Sequence, residues 1–116
     1  MKTFTVIVYS DAGHAWGKVK RQVLVNLGIA HKISSYSYQY KDNVYLEEDC
    51  DLPLLHDALL KSDTNIKFVE KHTNNMSRIR SYEHYSVRSN LLDHMFPDLK
   101  TNLSNLTIYS TESAAS

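Results

Sequence analysis

The chain has 116 residues, with thirteen basic and thirteen acidic side chains that cancel to no formal net charge at neutral pH. That length fits one ordinary domain with one core, and the charge balance removes overall basicity as a route to nonspecific nucleic-acid binding. Hydrophobic residues at 42% against 22% charged, with only three glycines and two prolines, describe a folding sequence and exclude a low-complexity linker.

Phe4, Val6 and Val8 alternate with Thr5, Ile7 and Tyr9, a β-branched and aromatic run that predicts a first strand. Ser10-Asp11-Ala12-Gly13 supplies turn chemistry, because Asp bonds nearby backbone and Gly tolerates positive φ, and His14 to Val19 returns as a second strand. Val19, Val23 and Leu27 then fall at helical spacing. A helix is expected from about Lys20 to Leu27, closed by Gly28 in a Schellman stop.

From Ser34 to Tyr40 the period becomes two, with Tyr36, Tyr38 and Tyr40 on one face and Ser35, Ser37 and Gln39 on the other. Amphipathicity predicts that the tyrosines turn inward. Lys41-Asp42-Asn43 reads as a three-residue hairpin loop, which would pair Tyr40 with Val44 and Tyr38 with Leu46; a two-residue loop would instead move Tyr45, Glu47 and Asp49 onto the tyrosine face.

Asp51 is placed to cap the next helix, with Pro53 in its first turn and Leu52, Leu55 and Leu59 facing inward. Ile66 to Val69 predicts a strand, followed by a surface loop through His72-Thr73-Asn74-Asn75 and a short strand carrying Arg78 and Arg80 on one face. Ser86 would cap a final helix through Val87, Leu91 and Met95 that ends before Pro97; a short strand at Leu106 to Tyr109 follows. The expected fold is α+β, a single compact domain over residues 1–109 with a small, mainly antiparallel sheet and two to three helices, then a flexible tail at 110–116.

Three segments offer chemistry. Asp11, His14 and Trp16 sit at the first turn, where an acid, an imidazole and a large ring can contact a ligand together or simply cap the turn. Glu47 to Asp51 concentrates carboxylates at a strand–helix junction, with Glu48 and Asp49 the candidates for a general base and a solvated charge run the plainer reading. His72, Asn74, Arg78, Arg80 and Tyr82 form the third, suited to clasping phosphate or carboxylate.

Cys50 has acidic neighbours that oppose a thiolate, which favours a buried structural thiol, and it lacks partners at zinc-ligand spacing. The pattern calls for no metal and no cofactor.

Tyr9 to Trp16, Leu27-Gly28-Ile29, Lys32 to Tyr38, Tyr45 to Asp51, His72-Thr73-Asn74 and Arg78 to Tyr82 together resemble a family of small uncharacterised proteins encoded by tailed bacteriophages and prophages. The resemblance runs from about Phe4 to Tyr85 and implies an accessory protein in the bacterial host cytoplasm, with no catalytic role to carry over. The lone cysteine, the lack of an apolar leader after Met1 and the lack of any stretch of roughly 18 apolar residues point to the same setting, with no membrane partner.

Three functions follow as expectations. The first is a binding protein that engages a host protein, as an inhibitor of a defence or metabolic factor, motivated by small size, segregated charge and abundant tyrosine. The second is a small hydrolase joining His14 and His72 with Glu48 or Asp49. The third is a local phosphate or nucleic-acid binder through the arginines. The sequence leans away from an enzyme, and its neutral charge leaves self-association open.

Overall fold

The structure, a computed structural model, describes residues 2–86. Strands β1 (Lys2–Ser10) and β2 (Ala15–Lys20) form the first hairpin, and helix α1 (Arg21–Asn26) follows. Strands β3 (Tyr38–Tyr40) and β4 (Asn43–Glu47) form the second hairpin, followed by helix α2 (Leu52–Lys61), strand β5 (Thr64–His72) and the short strand β6 (Glu83–His84). The helix expected after Ser86, the strand at 106–109 and the tail at 110–116 lie outside the described residues.

The six strands form one mixed sheet in the order β5-β1-β2-β4-β3-β6. Only β1 and β5 pair in parallel; the other pairs are antiparallel. An α+β architecture is therefore present. The parallel pair arises because the chain leaves β4, crosses the sheet as α2 and returns at the far edge, a connection that a tight turn cannot make.

Local chemistry explains the elements. Gly28 stands at φ 74°, while its N–H donates to the Val25 carbonyl and the Ile29 N–H to the Leu24 carbonyl. That is the Schellman pattern expected at this position. Gly13, by contrast, does not take positive φ. The first turn is held by the Asp11 carboxylate instead, which accepts from the N–H groups of Gly13 and His14 at 3.0 Å each.

The second hairpin corrects the expected register. Tyr40 pairs with Asn43, Gln39 with Val44 and Tyr38 with Tyr45, so the loop has two residues, and Lys41 takes the positive φ of 55° that tight hairpin turns demand. Every side chain after the turn changes face as a result. Ser37 and Gln39 are buried, whereas Tyr36 and Tyr40 are 69% and 47% exposed.

The polar face turns inward because it finds partners there. Ser37 Oγ donates to Asp51 Oδ2 at 2.5 Å and accepts from the Glu47 N–H, and Gln39 accepts from the Ser86 N–H. A buried polar group so satisfied carries little penalty. Asp51 departs from expectation too. Its side chain makes no helix cap; it accepts from Ser34 and Ser37 and ties the segment before β3 to the start of α2.

The main core lies on the face covered by α1 and α2, where Val6, Val19, Leu24, Val44, Leu46, Leu55 and Leu59 are buried together. Gly17 is required there by contact: a Cβ would meet Leu52 Cδ1 at 2.6 Å and Val6 Cγ1 at 3.1 Å. Its missing side chain lets α2 approach the sheet closely.

Candidate functional site

Strand parity determines what the other face carries. Tyr9 on β1, Trp16 and Lys18 on β2, Tyr45 and Glu47 on β4, Tyr38 and Tyr40 on β3, and Lys67 and Lys71 on β5 all project to the side away from the helices. Among the described residues, that face is covered by the 3₁₀ turn Arg78–Ser81 and by Tyr82. Ile79 from this turn packs with Trp16 and Tyr45 into a second, smaller apolar cluster.

Asp11 fixes the cover in place. Arg80 donates from Nε to Oδ2 at 2.7 Å and from Nη2 to Oδ1 at 2.9 Å, and the Ser77 N–H donates to Oδ2 at 3.0 Å. The Arg80 guanidinium, followed by the backbone donors of Ser77, His14 and Gly13, holds the Asp11 carboxyl well below the usual carboxylate range. Arg80 in turn lies 5.3 Å from the Trp16 ring centroid. Asp11, Trp16 and Arg80, from two separate candidate segments, thus meet, and the charges of Asp11 and Arg80 are spent on each other.

His14 extends the group. Its ring lies 6.0 Å from that of Trp16, and Nδ1 is 3.8 Å from Glu47 Oε2. The other oxygen of Glu47 accepts from the N–H groups of Asp49 and Cys50 at 2.8 Å each, closing the turn before α2. Glu48 and Asp49 are exposed, and Asp49 enters these contacts through its backbone N–H alone. Glu47, and not the Glu48 or Asp49 that the sequence singles out in the same acidic run, is the acid near His14, on the face that a two-residue hairpin loop gives it.

His72 lies elsewhere. It is paired with Ser10, whose side chain projects to the helix face of the sheet, whereas His14 rests against Trp16 on the opposite face. Ser10 Oγ donates to Glu70 Oε2 at 2.7 Å and stands 2.9 Å from His72 Nδ1, a clasp across the end of the parallel pair. The Ser10 proton is committed to a carboxylate and Ser10 is buried, so the trio does not present a nucleophile to solvent. The two histidines thus stand on opposite faces of the sheet, and Glu48 lines a pocket with Leu52, His56 and Glu70 that neither of them lines.

Arg78 and Arg80 also depart from expectation. They lie on a 3₁₀ turn rather than a strand, so their side chains diverge: Arg80 reaches Asp11, and Arg78 lines a pocket of about 660 Å³ with Tyr9, Tyr45, Asn75, Ser77 and Tyr82. Asn74 is exposed beside it.

The aromatic rings of this face form connected pairs. Tyr40 stacks on Tyr82 at 4.7 Å and 12°, Tyr82 contacts Tyr45 at 5.2 Å, and Tyr38 stacks on His84 at 4.8 Å. Burial, and then the neighbouring Tyr82 phenol, push the Tyr45 hydroxyl up to about 12, so it remains a proton donor throughout the physiological range.

Cys50 is exposed, not the buried thiol expected, and partial desolvation followed by its hydrogen bond and proximity to Glu47 push its pKa up. Among the described residues, no group of three or more His, Cys, Asp or Glu is arranged to hold a metal ion, and no helix is long and apolar enough to cross a membrane. The fold and face define an α+β protein with one helix-covered and one aromatic, lysine-bearing sheet surface. No family model, curated protein or solved structure matches the chain.

Proposed function

We propose that the protein is a small binding protein whose working surface is the sheet face away from the helices, and that it engages a host macromolecule through an acidic contact surface. One observation carries this reading. Lys18, Lys20, Lys67 and Lys71 share that face with the tyrosines, while the one acid that the strands place there, Glu47, is buried and committed to backbone donors.

Lys67 and Lys71 on β5 and Lys18 on β2 flank a floor formed by Thr5, Ile7 and Tyr9 of β1. Strands two apart in a sheet are separated by roughly 10 Å, so these ammonium groups form one positive band although the whole chain is neutral. Tyrosine adds contact area with little rotamer entropy to lose. A bacterial partner and an accessory role belong to the same proposal, and the separation of His14 from His72 weighs against the hydrolase.

Amide NMR titration of the full chain with a heparin oligosaccharide tests the surface. Shifts at Thr5, Lys18, Tyr40, Lys67 and Lys71, with affinity falling as salt rises, are expected. Shifts confined to α2, or no binding at low salt, would overturn the assignment.

A further inference from the structure

We infer that the partner is a single-stranded nucleic acid, with one base entering the pocket between Tyr9, Tyr45 and Tyr82 and its phosphate held by Arg78. The inference rests on the working surface proposed above and adds the chemistry of what occupies it.

The pocket is the first reason. At about 660 Å³ it falls in the range of small-ligand sites, and it combines phenol rings with polar groups from Asn75, Ser77 and Arg78. A planar ring with hydrogen-bonding edges fits that lining: it offers π-faces to the phenols and polar atoms to their hydroxyls. The Tyr45 hydroxyl stays protonated and is hydrogen-bonded with Tyr82, so the two phenols line the pocket as a pair. An acidic protein surface would answer the lysines but leave the phenol-lined pocket without a matching group.

The stack at its rim is the second reason. Tyr40 lies parallel to Tyr82, is 47% exposed, and has the Lys41 ammonium 5.3 Å from its ring centroid. The Lys41 ammonium lies over this ring, so a base that stacks on Tyr40 displaces the ammonium toward the neighbouring phosphate; stacking rings with a charge that tracks the backbone are the two elements of single-strand binding surfaces. Tyr36, in the turn before β3, is a further exposed ring.

The shape of the face selects strand over duplex. Its aromatic groups lie on a broad sheet, and no element described on that face projects as a helix or ribbon that would fill a groove. Bases reach such rings only when they are unstacked, as in a single strand.

Fluorescence anisotropy with a labelled oligothymidylate, the equivalent duplex and a polyglutamate competitor tests this on the full chain. Single-strand binding roughly 10-fold tighter than duplex is expected, with little competition from polyglutamate. Tyr40→Ala should weaken it about 10-fold and Tyr40→Phe should restore it, while Arg78→Ala should lower the salt slope by about 1. Amide shifts at Ser77 and Arg78 should report the base in the pocket.

Equal affinity for strand and duplex, unchanged by Tyr40→Ala, would overturn the inference and leave a charge-led surface standing. Tighter binding of polyglutamate would overturn it in favour of an acidic protein. Shifts that spare Ser77 and Arg78 would overturn the pocket assignment. Failure of both the oligonucleotides and heparin would overturn the surface as well.

Discussion

The two faces of the sheet are covered by different means. On one, α1 and α2 bury a continuous aliphatic core in which Val6, Leu24, Val44, Leu46 and Leu55 have no exposed surface. On the other, one 3₁₀ turn holds a small aromatic cluster, and its attachment depends on the Asp11 carboxylate accepting from Arg80 and Ser77. The first cover is nondirectional and dispersed over many contacts; the second adds to the packing of Ile79 and Tyr82 a directional anchor at one side chain. Among the described residues, so small a cover leaves more of its face to a partner than the helices leave of theirs.

Truncation should separate the two most sharply. Leu55→Ala removes a fully buried side chain between α2 and the sheet and is expected to cost about 2–5 kcal/mol, measured by denaturant unfolding. An effect under 1 kcal/mol would mean that the helix face is not the main core.

Asp11→Ala should lower Tm by on the order of 10 °C, and its defining signature is local. Hydrogen exchange should accelerate from Ser77 to His84 while α2 keeps its protection. Uniform loss of protection would show that the two covers unfold as one.

Acid sharpens the same comparison. The Asp11 carboxyl titrates below its unfolded value of about 3.9, so its stabilisation is complete above that pH and is lost as pH falls toward the folded-state value. The Tm difference between the native chain and Asp11→Asn should therefore be constant from pH 7 to about pH 5 and narrow below about pH 4. A gap that widens in acid would contradict the assigned bond.

Cys50 belongs to neither cover. Cys50→Ser should change stability by no more than about 0.5 kcal/mol, and the native thiol should react with a disulfide reagent at pH 8 more slowly than free cysteine.

Much of the fold is legible locally. The first strand, the Gly28 stop and the Leu52, Leu55 and Leu59 stripe each depend on neighbours a few residues away, and each stands where the pattern places it. The errors share a cause. Tyr36 and Tyr40 were expected inside because they are larger and less polar than Ser37 and Gln39, yet Ser37 is bonded by Asp51, fourteen residues later, and Gln39 by the Ser86 backbone. Asp51 reads as a cap for the same reason, since its partners lie upstream in Ser34 and Ser37.

Composition and periodicity alone determined an α+β fold, the helices α1 and α2 and the presence of a turn at Asp11. Tertiary structure decided which face each side chain occupies. Strand register is a one-residue choice that reverses a whole strand: the two-residue hairpin loop decided the face of Tyr38 and Tyr40, and the parallel pairing of β5 with β1 put Lys67 and Lys71 on that same face and His72 on the other. Partners that settle such a choice lie far away in sequence: Arg80 stands 69 residues from the carboxylate that fixes it.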